Sequence, residues 1–426
     1  MSTAPEPAAR PRSRRRFLGG AAAGIAGLTA AGATGFGLAD ATDLGPTGTR
    51  PRGGVRAEVP LYGPHQPGIA TPAQDRLAFA AFDLTTTDRA AVQIMLGLWA
   101  AAAQQLVRGR PVGGDPAPEA PPPDTGEALD LAPAGLTVTV GFGPSFFDER
   151  LGLAGRRPAA LAELPPFAGD RLQPARSGGD LCVQACSDDP VVAFHVLRNF
   201  ARSARGTAVL RWTQLGFGRT STTSRTEDTP RNLMGFKDGT NNIRGVDAPA
   251  MDAHVWVGTE TDQPWLAGGC YLVARRIRML LESWDADSLA DQERVFGRAK
   301  TSGAPLTGRG EFDPVRLDAR KPDGTPVIDP HAHIRLAAPA TNGGLRILRR
   351  GYSYTDGVDP DTGLLDAGLF FLAYQQDPRR QFVPLQQRLA TRDNLNEYLR
   401  HTGSAVFAMP PGLSGPGDWF GRQLLR

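Results

Sequence analysis

The chain has 426 residues, 41% hydrophobic and 21% charged, enough for one large or two medium domains and unlike a disordered or fibrous sequence. Its formal charge of +3 is held entirely by the first 41 residues, where Arg10, Arg12, Arg14, Arg15 and Arg16 face only Glu6 and Asp40. The remainder has no basic surplus with which to hold a nucleic acid or an anionic membrane. Three cysteines (Cys182, Cys186, Cys270) are too few, and odd in number, for a disulfide scaffold, and the C-x3-C spacing of the first two spells neither a zinc ribbon nor a thioredoxin-like motif.

Residues 1–41 read as an export signal. SRRRFLGG (Ser13 to Gly20) leads into a Gly/Ala-rich, weakly apolar stretch that ends in small residues at Ala39 and Ala41. Arg14 and Arg15, followed by Phe17 and Leu18, give it the twin-arginine form. That form predicts export of an already folded chain, cleavage after Ala41, and an extracellular or cell-envelope location. The competing reading is a retained membrane anchor, for which the stretch is barely long enough and only weakly hydrophobic. An uncleaved signal would be the only tie to a membrane. The low cysteine count suits folding, with a cofactor, in a reducing compartment.

A Gly/Pro-rich linker covers residues 42–60. RLAFAAFDL (Arg76 to Leu84) reads as a strand, and Asp88 to Gly109 carries apolar residues at helical spacing after a polar start. The Pro/Gly-rich, acidic stretch from Gly109 to Asp130 is an exposed insertion. Strands follow at Leu136 to Phe142 and Asp180 to Asp188, then a helix at Asp189 to Arg205 with Pro190 in its first turn, then a strand at Ala208 to Gly218. The order β-α-β-β-α-β is that of a ferredoxin-like unit. The second half repeats it, with strands at GCYLVARRIRMLL, LRILRRGYSY, GLFFLAYQ and SAVFAMPPG and helices at SLADQERVFGRAK and RRQFVPLQQRL. The expected fold is α+β: duplicated ferredoxin-like units, residues 61–225 and 226–426. Two antiparallel sheets pack together with peripheral helices, in a barrel-like arrangement.

The chemistry-bearing residues cluster near and after the joint between the repeats. In GFKDGTNN, Asp238 stands between Gly235 and Gly239. Such a segment is a turn by composition, and it is equally a bare backbone that lets an acid press against a flat cofactor. Among the six histidines, His65 falls in a loop, His195 on a helix, His254 at a strand start and His401 at a helix end. His331 and His333 form H-x-H, which suits a zinc or copper site with a third ligand, or a haem site with one axial histidine. Arg349 and Arg350 are adjacent on a predicted strand, so one faces a pocket and the other faces away. Leu369, Phe370, Phe371 and Leu372 offer an apolar wall.

Four segments, NLMGFKDGTNN, AHIRLAAP, LRRGYSY and RHTGSAVFAMPPG, in that order on a twin-arginine precursor, resemble the dye-decolourising peroxidases. The match is to the exported A-type branch, which includes deferrochelatase-like enzymes, and it runs from about Tyr62 to Gly412. The resemblance implies one haem b per chain and reduction of hydrogen peroxide through a ferryl intermediate. The electrons would come from organic donors such as dyes or phenols, or from a metal; homo-oligomers are left open. Position by position it makes Asp238 the distal acid, Arg349 the distal arginine and His333, the second histidine of HAHIR, the axial ligand. Gly239, Arg335 and Phe371 enter as cofactor contacts. Asp377, in YQQDP, enters as the carboxylate bonded to the other nitrogen of the axial histidine. The implied chemistry has Asp238 shuttle a proton between the peroxide oxygens and Arg349 stabilise charge on the departing one. Trp256, Tyr352 and Tyr374 are candidates for carrying electrons to bulky donors. Two alternatives stand beside this: a protein that removes iron from haem or supports metal handling, and a non-enzymatic exported haem carrier. Release of intact protoporphyrin tests the first, and dye turnover with peroxide excludes the second.

Overall fold

Alternation builds the first strand. In RLAFAAFDL, Leu77, Phe79 and Ala81 turn into one core while Ala78, Ala80 and Phe82 turn into another, and all six are buried. The computed structural model describes residues 58–224 and 228–426. The expected signal with Arg14, Arg15 and Ala41, and the linker up to residue 57, lie outside the described residues.

The first half consists of β1 (Arg76–Leu84), α1 (Arg89–Leu106), β2 (Thr137–Phe142), β3 (Leu181–Ser187), α2 (Pro190–Ser203) and β4 (Ala208–Arg219). The second begins with α3 (Ala248–His254), β5 (Cys270–Met279), α4 (Leu281–Asp285), α5 (Leu289–Phe296) and α6 (His333–Ala337). It continues with β6 (Leu348–Arg349), β7 (Tyr352–Val358), β8 (Leu365–Gln375), α7 (Phe382–Arg392), β9 (Leu399–Met409) and α8 (Arg422–Leu425). Aspartates start the two helices of the first half. Asp88 accepts from Ala90 N–H at 2.8 Å and Asp189 from Val191 N–H at 2.7 Å, with Pro190 at the first helical position.

All strand pairings are antiparallel. The order is β5-β9-β2-β3-β1-β4-β7-β8-β6, and β8 also pairs with β5, so eight strands close into a ring with β6 attached to β8. Each half supplies four neighbours in the same order, β2-β3-β1-β4 and β7-β8-β5-β9. The halves meet at two thin seams: Phe142 opposite Ala408, and β4 against β7 at Phe217 and Arg219 only. The edges of the two four-stranded sheets bond to one another, so they form one barrel-like antiparallel sheet, in keeping with the expected barrel-like α+β arrangement.

The ring interior is filled by side chains from β1, β3, β5, β7, β8 and β9, including Phe79, Tyr352, Tyr374 and Phe407 and all three cysteines. The cysteines are free and buried. A second core lies between the outer face of the first half and α1 and α2. A third, around Met234, Trp284 and Tyr398, packs beside the outer face of the second half. No helix among the described residues is long and apolar enough to cross a membrane.

Several local expectations change. LRILRRGYSY forms two short strands, β6 and β7, which pair with β8 in one continuous register and are interrupted only at Arg350 and Gly351. There Thr220 N–H takes the Gly351 carbonyl at 2.9 Å, and the Thr220 hydroxyl would lie 2.7 Å from any Cβ. His254 ends a helix rather than starting a strand, and His401 lies inside β9, 8% exposed, rather than at a helix end. His195 is a packed residue: its ring nitrogens lie 3.3 Å from Asp124 and 3.3 Å from Glu127, pinning the insertion to α2.

Candidate functional site

The GFKDGTNN segment folds as a tight loop. Gly235 (φ +83°) and Gly239 (φ +101°) take left-handed backbone that favours glycine. Asp238 N–H donates to Pro230 O at 2.8 Å, and Asn242 N–H to Gly239 O at 2.9 Å. The bareness of Gly239 serves packing against protein: a Cβ there would lie 2.9 Å from Ser221 Cα. Lys237 and Thr240 both bond Glu311, tying the loop to the segment after α5.

Beside this loop is a cavity of about 590 Å³, within the usual range for small-molecule sites. Ile277, Met279, Leu369 and Phe371, from β5 and β8, form one apolar wall, and Ala337, Leu385 and Leu389, from α6 and α7, line it as well. Asp238, Gly239, Arg349 and His333 all border it.

Asp238 and Arg349 are bonded directly, guanidinium to carboxylate, and Asn232 Nδ2 reaches the other oxygen of Asp238 at 3.4 Å. Arg349 sits on β6, and strand alternation sends its neighbour Arg350 into the ring interior, where it donates to Thr71 O and Gln74 Oε1.

His333 is the first residue of α6, which aims its side chain at the cavity. Its Nδ1–H donates to Asp393 Oδ2 at 2.6 Å. An ionised carboxylate only accepts, so this bond puts the proton on Nδ1 and leaves the Nε2 lone pair free. Burial pulls the His333 pKa down, but the charge and hydrogen bond of Asp393, with Asp238 beyond, outweigh it; Arg349 opposes them, and the pKa is raised. His331 is exposed, away from the cavity, with Nδ1 on Arg392 O at 2.9 Å.

Asp377 does not take the place expected for it. Its carboxylate is held by Arg379 at 2.8 Å and approached by Arg380 at 3.8 Å, in the turn after β8. The histidine's partner is Asp393, 3% exposed at the side chain, whose other oxygen caps the next turn by accepting from Leu395 N–H at 2.9 Å. Asp393 was missed because the sequence signal it carries is only that of a capping aspartate after a helix. Arg335 does not line the cavity either; it bonds the carbonyls of Leu317, Ile328 and Asp329 and so holds the segment before α6. Tyr352 and Tyr374 are fully buried in the ring, and Trp256 stacks on His65 with ring centroids 3.7 Å apart.

The residues present fit a flat metallo-macrocycle. Among the described residues no cluster of three His, Cys, Asp or Glu could hold a bare ion. A haem iron brings four nitrogens of its own and needs one protein ligand, and His333, with Nε2 free and bordering a largely apolar slot, fits that need.

Two family models match the chain, "Dyp-type peroxidase, N-terminal" over residues 66–218 and "Dyp-type peroxidase, C-terminal" over residues 229–414. The chain is 40% identical to the dye-decolorizing peroxidase of Thermobifida fusca, over 99% of each chain. It is 37% identical to the deferrochelatase of Escherichia coli (strain K12), over 97% of each. Among solved structures it resembles ferric DtpA from Streptomyces lividans, with a TM-score of 0.80 and 42% identity, covering 87% of this chain and 98% of that one.

Proposed function

The chain belongs to the Dyp-type peroxidase family, and from that premise we propose how its cavity works. It is a haem-dependent peroxidase, with hydrogen peroxide as oxidant and organic molecules as electron donors. Bound haem supplies the redox chemistry, and the protein orients and tunes it.

His333 would hold the iron through Nε2. Asp393 fixes the tautomer and makes that nitrogen more electron-rich. Asp238 faces the same space, bonded to the Arg349 guanidinium, and a carboxylate there can accept a proton. It takes one from the nearer peroxide oxygen and returns it to the departing oxygen. Arg349 holds the negative charge that builds on that departing oxygen. The apolar lining keeps bulk water out and so strengthens both interactions.

The observation that carries this reading is that His333 Nε2 and the Asp238–Arg349 pair open onto one cavity. The test is haem loading of two variants, followed by absorption spectroscopy and dye oxidation with peroxide. His333→Ala loses haem or its ligated spectrum, while His331→Ala keeps both. The reverse result moves the ligand to His331.

The 37% identity to deferrochelatases over nearly the whole chain supports a second reading, release of iron from haem with the ring intact. Protoporphyrin appearing in a haem incubation, without ring cleavage, decides for it. A metal donor fits either reading.

The arginine pair at 14 and 15 supports export by the twin-arginine route. With both replaced by lysine the folded chain stays in the cytoplasm; unchanged export removes this part of the proposal. The equal strand order of the two halves, and the division between the family matches after residue 218, support two ferredoxin-like units.

A further inference from the structure

β6 is two residues long and is the last strand in the sheet order, paired with β8 on one side only. Arg350 N–H goes to Leu372 O on β8 at 2.9 Å. Backbone groups alternate sides along a strand, so the N–H and C=O of Arg349 point away from β8, to the side where the sheet has no further strand.

A side chain takes that strand's place. Asn242 Oδ1 accepts from Arg349 N–H at 2.8 Å, and Asn242 Nδ2 donates to Arg349 O at 2.8 Å. One amide, with one acceptor and one donor, satisfies both backbone groups of one residue. Ser221 Oγ donates to the same carbonyl at 2.9 Å, and Asn242 Nδ2 also reaches Thr222 O at 3.3 Å. Asn242 is 4% exposed, and it is Asn241 that borders the cavity, not Asn242. Asn242 lies four residues after Asp238 in the same loop. One short loop therefore holds Arg349 at both ends, Asp238 at the guanidinium and Asn242 at the backbone.

We propose that Asn242 is a positioning residue for the peroxide reaction, fixing the backbone of Arg349 so that its guanidinium stands where charge develops. The proposal rests on the role given to Arg349 above. Asn242 does not border the cavity and acts only through Arg349. A buried arrangement of this kind is unforgiving, because removing the amide leaves the Arg349 N–H unsatisfied and its carbonyl held by Ser221 alone. A misplacement on the order of 1 Å at a reacting centre costs roughly 100-fold in rate.

The test is a double-mutant cycle on the haem-loaded protein with Asn242→Leu, Arg349→Leu and the double variant. Two quantities are read: the second-order rate with hydrogen peroxide by stopped flow, and the dissociation constant for cyanide by absorption titration. Expected is a loss of roughly 10- to 100-fold in the peroxide rate for Asn242→Leu. In the Arg349→Leu background the same change has an effect within about twofold, because coupled residues are not additive. Cyanide affinity follows the same pattern, since the guanidinium that stabilises a departing anion also stabilises a bound one. Asn242→Asp keeps the acceptor and loses the donor; it gives a smaller loss, and it replaces Asn242→Leu in the cycle if that variant does not fold. Multiplicative effects in the double variant, or an unchanged rate in Asn242→Leu, overturn the proposal. If Arg349→Leu alone leaves the rate unchanged, the role of Arg349 itself falls. A slow Arg349→Leu beside a normal Asn242→Leu sinks the positioning role alone.

Discussion

Asp393 serves His333 and the chain beyond it at once. Oδ2 accepts from the imidazole at 2.6 Å, while Oδ1 caps the turn that leads into β9 at 2.9 Å. The carboxylate is thus held by the backbone before it holds the histidine, and the ring's orientation is set by the fold rather than by the ligand.

Asp393→Asn keeps the shape and removes the charge. Haem affinity, titrated by absorbance, should fall about 10- to 100-fold, the usual cost of losing such a partner. Asp377→Ala should leave it unchanged, because Asp377 is occupied with Arg379 and Arg380.

The Asp238–Arg349 pair divides two kinds of work. Arg349→Leu should slow the peroxide reaction about 100- to 1,000-fold, and Asp238→Ala about 100- to 10,000-fold. The ranges overlap, so the shape of the pH–rate curve discriminates. If Asp238 moves the proton, an acid-side limb present in the wild type is absent from Asp238→Ala in stopped flow. Survival of that limb assigns the proton to another carrier.

His401 makes the haem-free protein acid-sensitive. Burial first, then the charge of Arg275, pulls its pKa from 6.5 to about 3. The unfolded chain then binds the proton more readily than the folded one. Stability is full above the ordinary histidine pKa and is lost as pH falls from there towards 3. Between pH 7 and pH 5 the loss is about 2 kcal/mol, at 1.36 kcal/mol per pKa unit. His333 has the opposite sign: its pKa is raised, so its contribution is present at low pH and is lost as pH rises through the folded value. Denaturant curves at the two pH values should show the acid loss shrinking in His401→Leu.

Gly239→Ala should destabilise the loop by about 1 to 3 kcal/mol, for a left-handed residue that gains a side chain. The Cβ would also press on Ser221, whose hydroxyl bonds Arg349 O. The peroxide rate should therefore fall along with the melting temperature, and a lower melting temperature with an unchanged rate would separate the two.

Local patterns made the strands legible. The alternation of RLAFAAFDL, the apolar run of LCVQACS and the Asp-Pro start of α2 each carry their own period or cap, and the elements lie where those signals put them. What joins distant segments was not legible. Phe142 opposite Ala408 closes the ring, and nothing local in either strand names the other. Asp393 and Asp377 look alike in sequence; the choice between them depends on where α7 ends relative to α6. His401 looked like a helix end because RHTG is polar, yet it is buried in β9, opposite Ile277 of β5. The resemblance identified Asp238 and Arg349 one at a time, and only the fold shows that Asn242 ties them into one unit.

The cavity belongs to one half. Every lining residue among those described lies between Asn232 and His401. Among the described residues the first half lines none of the cavity; it covers the free edges of β7 and β9, which would otherwise invite other chains. It reaches the chemistry through a set of long-range grips: Ser221 on Arg349, Thr222 on Asn242, Thr71 and Gln74 on Arg350, and Asp170 on Arg275. The two halves of the ring thus have different freedoms. Sequence change in the second half is tied to chemistry, while the first half is free to drift as long as it keeps the ring shut and those few grips in place.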